Sequence, residues 1–241
     1  MTIVIPWRGG DPHREAALVH VRAQYGTAFP DWRVRLTPEL PADGPWVKAD
    51  AVAAALDGVT SEVVVVADAD VMCDGLPLAV AAVQAGRAWA IPHHAVYRLT
   101  PESTALLLGG GPPPDTRLPH SLLRGKIAET HKGVAGGGIV VLRRGVWDVC
   151  PMDARFRGWG QEDLAGGWAL ARLFGPPHRE AYPMLHLWHP PAERRSRANG
   201  SAESMALYRR YRGAYTPDDV RAILAEQGAR PGSPDTTAGG S

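Results

Sequence analysis

The sequence predicts an α/β fold, a single domain on a mixed, mainly parallel central sheet flanked by helices. Three observations predict it. The run Val63–Ala67 is continuous, apolar and β-branched, the pattern of a central strand buried on both faces. Strand-like and helix-like segments alternate through the first half of the chain, as they do in βαβ units. The chain has 241 residues, of which 45% are hydrophobic and 21% charged, enough for one sizeable core and too apolar for a broadly disordered chain.

The elements follow in order. Residues 2–6 form a short β-branched strand ending at Pro6, and Trp7-Arg8-Gly9-Gly10-Asp11-Pro12 is the loop it feeds. A helix is expected over 13–25, with Ala17, Leu18, Val21 and Tyr25 on one face, then a strand over 32–36. Three prolines in 37–45 make a loop before a helix over 47–56. The valine strand then runs straight into Asp68-Ala69-Asp70. A helix over 76–85 and one strand over 88–99, with His93 and His94 inside it as structural residues, come next. Gly109 to Pro114 is three glycines followed by three prolines, a surface loop beside the site. After it, Gly136-Gly137-Gly138 introduces a strand over 139–142, 143–149 is a short helix or loop, and a helix over 164–174 carries an acidic pair at its start. A strand over 184–188 and a helix over 202–212 complete the expected order. The expected domain is 1–227, with a donor half at 1–108 and an acceptor half at 115–227; residues 228–241 lack large apolar side chains and read as a disordered tail.

Several classes are excluded. No apolar run approaches the ~20 residues needed to span a bilayer, and no signal-peptide pattern opens the chain, so a cytoplasmic location without a membrane span is expected. Two cysteines, Cys73 and Cys150, are too few for a disulfide framework and read as reduced thiols. Nothing calls for an obligate protein partner. The net charge is +1, but residues 1–115 carry 8 basic and 13 acidic side chains against 18 and 12 in 116–241. A basic half suits an anionic ligand, and an acidic half can hold a metal.

Chemistry concentrates at three places. Asp68 and Asp70 leave a buried strand together, where carboxylates project into the crevice at a sheet's edge and can hold a divalent cation against a diphosphate. An isolated Asp-x-Asp more often closes a strand with an Asx-turn, but a second acidic pair and late histidines stand downstream. Glu162 and Asp163 sit at a helix start, where backbone N–H groups favour the ionised form and a carboxylate can serve as general base; the ordinary role there is dipole complementation. Gly158-Trp159-Gly160 before them suits close approach of a ring, since indoles stack on sugar faces. His186 and His189 could complete a shell begun by Asp70, and His189, followed by Pro190-Pro191, is the better placed.

Ile3-Val4-Ile5-Pro6-Trp7-Arg8, Asp68-Ala69-Asp70, Gly137-Gly138, Phe156-Arg157-Gly158-Trp159-Gly160-Gln161-Glu162-Asp163 and His189, in that order, resemble a GT-A (Rossmann-like) glycosyltransferase over about residues 1–215. The resemblance is to glycosyltransferase family 2 and to the C-terminal region of β-1,4-galactosyltransferase and chondroitin-polymerase type enzymes. It implies a metal-dependent, inverting transfer from a nucleotide-sugar, a UDP-sugar first, to an acceptor hydroxyl, with Mn²⁺ or Mg²⁺. It places Pro6 and Arg8 at the donor base and ribose, Asp68 at the ribose or metal, and Asp70 and His189 on the metal. Gly158, Trp159 and Gly160 would form the acceptor loop, Glu162 would bind the acceptor, and Asp163 would take its proton. Retaining relatives of the polypeptide N-acetylgalactosaminyltransferase type have a further Glu where this chain has Gly166-Gly167, which favours inversion.

The acceptor is open between a glycan and a hydroxymethylated DNA base. Six arginines between 194 and 212, with Arg117, Arg124, Lys126, Lys132, Arg143, Arg144, Arg155 and Arg157 upstream, favour an anion, although a solvated arginine-rich face looks the same. A metal-dependent nucleotidyltransferase using Asp68 and Asp70, or a sugar-binding module without turnover, are the alternatives; either leaves Glu162 and Asp163 without work.

Overall fold

A computed structural model describes residues 1–38, 44–112, 129–130, 133–158, 160–190 and 201–228. Strand β1 (Thr2–Ile5) is wholly buried and leads to helix α1 (Pro12–Ala28). Asp11 caps α1 by accepting from the His13 and Arg14 amides, Pro12 fixes φ in its first turn, and Ala17, Leu18, Val21 and Tyr25 are its buried face as the spacing predicts. Strand β2 (Arg33–Leu36), helix α2 (Lys48–Leu56) and the buried valine strand β3 (Val63–Ala67) follow. Next come β4 (Val71–Met72), α3 (Leu76–Gln84), β5 (Trp89–Ile91), β6 (Ala95–Arg98), α4 (Pro101–Leu108) and β7 (Glu129–Thr130). The rest of the order is β8 (Ile139–Arg143), α5 (Arg144–Val149), α6 (Glu162–Phe174), β9 (His178–Arg179), β10 (Pro183–His186), α7 (Ala202–Gly213) and α8 (Pro217–Gly228).

The main sheet runs β2-β1-β3-β8-β5-β9, and a smaller one runs β4-β10-β6-β7. The main sheet is mixed: β1 pairs in parallel with β2 and β3, and β5 with β9, while β8 is antiparallel to both β3 and β5. The valine strand is therefore central and buried, parallel on one side and antiparallel on the other. Its alternate residues feed two cores, Val64 and Val66 toward α2, α5, α6 and α7, and Val63 and Val65 toward α1 and α3. Each buried valine contributes about 1.5 kcal/mol or more, and a charge placed at Val65 would break both sheet and core.

Four expectations change. The strand over 88–99 is two strands in two sheets, because Pro92 has no N–H with which to continue the ladder after Ile91. Its carbonyl instead accepts from Cys73 Sγ and crowds Gly75, whose added Cβ would lie 2.2 Å from it. Helices α4 and α8 were not expected, yet both carry a Thr-Pro start: Thr100 accepts from the Ser103 amide, and Thr216 and Asp219 exchange bonds in a capping box. Helix α6 begins two residues earlier than expected, at Glu162, so the acidic pair expected at its start forms its first turn. Gly228 closes α8, and the rest of the expected tail, with 113–114 of the glycine-proline loop, lies outside the described residues. No helix among the described residues is long and apolar enough to cross a membrane. Cys73 and Cys150 are buried free thiols, both pushed up to about 12 by burial.

Candidate active site

The smaller sheet assembles one part of the site. Strand β10 pairs antiparallel with β4, His186 opposite Val71, and the Leu187 amide donates to the Asp70 carbonyl. This brings the end of β10 against the residue that precedes β4. Asp70, His186 and His189 consequently each present a ligand atom within 4.8 Å of one another. His189 Nε2 lies 3.2 Å from Asp70 Oδ2, and His186 Nε2 4.0 Å from Oδ1.

The ring orientation fits a cation. His186 Nδ1 lies 2.8 Å from the Leu187 carbonyl and His189 Nδ1 2.7 Å from the Pro190 carbonyl. A carbonyl only accepts, so each Nδ1 carries the proton and each Nε2 is turned toward the carboxylate. With Nδ1 so engaged, Nε2 is the ring atom left to meet Asp70, either by donating to its carboxylate or by sharing a cation with it. Burial opposes ionisation of Asp70, but the His189 hydrogen bond and the nearby His186 and Arg14 hold its carboxyl down to about 2. Burial lowers His186 against the pull of Asp70, which favours the neutral form that ligates. The donor set of one carboxylate and two imidazoles suits a divalent transition-metal ion.

Asp68, one residue before Ala69 and Asp70, is held elsewhere. Its Oδ1 lies 2.8 Å from Lys48 Nζ, and the same Nζ bonds Asp163 Oδ1 at 2.9 Å. Lys48 is buried, and its ammonium is held charged: burial works against it, but Asp163, Asp68 and Glu162 outweigh that cost. Asp68 is raised to about 6 by burial, with Lys48 opposing and the carboxylates of Asp163 and Asp70 adding to the rise. Sequence reasoning missed Lys48. Only a basic residue at the start of a helix was visible, and the partner that buries it is 115 residues away.

Pro6, Arg8, Arg14, Trp46, Lys48 and the Asp68–Asp70 turn line one cleft, which brings the expected donor residues together. Arg8 donates to the Gly44 carbonyl and lies 5.6 Å from the centre of the Trp46 ring. On the other side of Lys48, Glu162 and Asp163 stand in the first turn of α6. Gly158 and Gly160 have positive φ, and the Gly158 amide donates to the Trp46 carbonyl, tying Gly158 to the rim of this cleft. The Gly160 amide donates to Glu162 Oε2. Burial and the neighbouring Asp163 raise Glu162 to about 7 against the pull of Lys48. Asp163 Oδ1 is engaged by Lys48, while Oδ2 lies over Gly137, where a Cβ would approach it to 3.2 Å. Trp159 lies outside the described residues. His93 is fully buried and His94 bonds Tyr182 beside it, both away from this site.

The basic residues read as facing an anion divide. Arg155 is held by Asp153 and Glu226 and Arg210 by Glu226, which ties α7, α8 and the preceding loop together, while Arg144 pairs with Asp148 within α5. Arg209 and Arg212 are exposed on α7. Arg117, Arg124, Lys126, Lys132, Arg194, Arg195 and Arg197 lie outside the described residues.

No protein-family model matches the sequence, and no curated protein matches it. Solved structures do. GalNAc-T7, solved with UDP, GalNAc and Mn²⁺, superposes with a TM-score of 0.50 at 12% identity over 95% of this chain and 45% of its own. The fold is that of the GT-A glycosyltransferases. Weaker superpositions are to Drosophila β1,4-galactosyltransferase 7 with manganese, UDP-Gal and xylobiose (TM-score 0.42, 12% identity, 84% of this chain and 70% of that one). Another is to glucosyl-3-phosphoglycerate synthase of Mycobacterium tuberculosis with Mn²⁺ and UDP (0.43, 14%, 96% and 81%). The chain spans less than half the length of GalNAc-T7, so what it shares with that enzyme is the GT-A fold.

Proposed function

We propose that this protein is a metal-dependent glycosyltransferase that moves a sugar from a nucleotide-sugar, a UDP-sugar first, to an acceptor hydroxyl with inversion. The observation that carries the reading is the continuous arrangement of a cation-binding triad, Asp70, His186 and His189, at the sheet edge and a carboxylate, Asp163, across a single buried lysine from the same turn. The GT-A fold supports it, and residues 1–108 and 115–227 are the proposed donor and acceptor halves.

A divalent cation held by Asp70, His186 and His189 would neutralise the charge of the leaving diphosphate. Arg8 and Arg14 add positive charge in the same cleft, and Pro6, Arg8 and Trp46 bound the space for base and ribose. Asp68 keeps Lys48 in place between the two sides. The acceptor oxygen attacks the sugar's anomeric carbon as the bond to the diphosphate oxygen breaks, and its proton passes to Asp163 Oδ2, Oδ1 being engaged by Lys48. Gly158 and Gly160 shape the approach, and Glu162 orients the acceptor from beside Asp163.

The test is nucleoside-diphosphate release with Mn²⁺ from UDP-glucose, UDP-galactose and UDP-N-acetylglucosamine, with glycan acceptors and with hydroxymethylated DNA, the product's anomeric configuration being read by NMR. Release that requires the metal, with an inverted product, is expected. Pyrophosphate release from a nucleoside triphosphate would instead indicate a nucleotidyltransferase, and binding without turnover a sugar-binding module. A DNA acceptor would show itself by a steep loss of rate with salt.

A further inference from the structure

Beneath Glu162 and Asp163 a cavity of about 60 Å³ opens into the hydrophobic layer between β8 and α6. Its lining includes the buried Trp89, Leu142, Trp147 and Leu170 together with Met152, and its ionisable groups are the buried Lys48 and Glu162 and the more exposed Asp163. Helix α6 supplies one wall by its repeat: Glu162, Gly166 and Leu170 are four residues apart and share a face, with Asp163 and Gly167 beside them.

Two adjacent glycines in the middle of a helix are unfavourable and need a reason. Gly167 has one in packing, since a Cβ there would lie 2.3 Å from the Val134 carbonyl oxygen. Gly166 has none: a Cβ there would meet nothing within 4 Å, and Gly166 is itself part of the cavity lining. The helix therefore gives up a side chain where one would fit, and keeps an apolar space open directly below the proposed base.

We propose that this cavity receives an apolar six-membered ring of the acceptor, so that the substrate class is a hydroxyl borne on an aromatic or alicyclic ring; this rests on the glycosyltransferase reading. At about 10–15 Å³ for each water, 60 Å³ holds about four to six waters, the space of one small ring and not of an oligosaccharide. A sugar ring would place hydroxyls against indole and aliphatic walls, and the Trp89 indole N–H is already given to the Gly175 carbonyl. An apolar ring loses nothing there, and its hydroxyl is left at the mouth, beside Asp163.

The experiment titrates the full chain with 4-nitrophenol, cyclohexanol and methyl glucoside, following tryptophan fluorescence, and separately with UDP and Mn²⁺ by calorimetry. Saturable binding of the two ring alcohols but not of the glucoside is expected. Gly166→Leu should weaken that binding at least 10-fold and leave UDP–Mn²⁺ binding unchanged, whereas Gly166→Ala, which adds only a methyl group, should weaken it less. Met152→Phe fills the cavity from the opposite wall and decides the matter if Gly166→Leu does not fold. Ring alcohols that fail to bind while UDP binds, or that bind Gly166→Leu and Met152→Phe as well as the parent, would overturn the proposal and leave a packing void. Ring binding without any UDP binding would keep the cavity's ligand and sink the proposed transferase.

Discussion

The two sides of Lys48 differ in kind. Toward β3 and β10 the cleft is charged, with Arg8, Arg14, Asp68, Asp70 and two imidazoles; toward α6 it is a small apolar space with carboxylates only at its mouth. A diphosphate leaving group needs positive charge and a metal, whereas a hydroxyl nucleophile needs one base and freedom from competing water. The difference teaches how one site separates those needs, since a single buried ammonium is the wall between them and bonds a carboxylate from each.

The sharpest way to break the comparison is to disable one side alone. Asp163→Asn should remove the proposed proton acceptor while leaving the charged side intact, so transfer is expected to fall about 10³-fold or more with donor affinity nearly unchanged. Activity within a few-fold of the parent would move the base elsewhere. Asp70→Ala is the converse. It removes the carboxylate that both imidazoles face, and Mn²⁺ affinity measured by calorimetry should drop about 100-fold or more, with metal-dependent UDP binding lost in parallel. Tight Mn²⁺ binding by this variant would transfer the metal site to other residues.

The same contrast explains what the sequence made legible. Asp68 and Asp70 stood out because four valines before them mark a buried strand whose end is a crevice, a local signal. Glu162 and Asp163 stood out through the glycines around them. Lys48 gave no such signal: its neighbours Val47 and Ala49 are ordinary for a helix start, and its burial is decided by β3 and α6 closing over it. The cavity was illegible for a similar reason, because Gly166 and Gly167 look alike in sequence and only the position of the Val134 carbonyl separates a glycine required by packing from one that leaves space. The sequence paired Asp70 with a late histidine as expected metal ligands, and the β4–β10 register is what gathers Asp70, His186 and His189 in one place. The helices α4 and α8 were legible in principle, since Thr100-Pro101 and Thr216-Pro217 are start signals.

Lys48→Met sharpens the comparison by removing the wall's charge and keeping its bulk. Asp68 and Asp163 would then face one another without a cation, and Asp163 would lose the bond that fixes its Oδ1. The turnover rate at saturating donor is expected to fall about 100-fold, or ~2.7 kcal/mol of barrier, with a smaller change in the donor concentration needed. A purely structural lysine would lower the melting temperature and leave the turnover rate of the folded fraction unchanged.

The smallest effect expected is on stability, and it isolates Glu162 from the chemistry beside it. Its carboxyl is raised from 4.5 to about 7 by burial and by Asp163, so the folded state binds a proton that the unfolded state has already lost in that interval. The parent should therefore lose stability as pH rises from about 4.5 through about 7, and change little from this group above that. Gln in its place can still accept from the Gly160 amide and carries no charge to desolvate. Glu162→Gln should match the parent below about pH 4.5 and exceed it above pH 7, with the gap between 4.5 and about 7, in which the pull of Lys48 is already contained, capping the gain at about 3 kcal/mol. Denaturant midpoints of both proteins at pH 4 and pH 8 measure the difference. A variant that loses stability at pH 8 would mean that the Lys48 ammonium needs both acidic neighbours on α6, and the two sides of the site would then be joined by a three-carboxylate cluster and not by the Asp68–Lys48–Asp163 bridge alone.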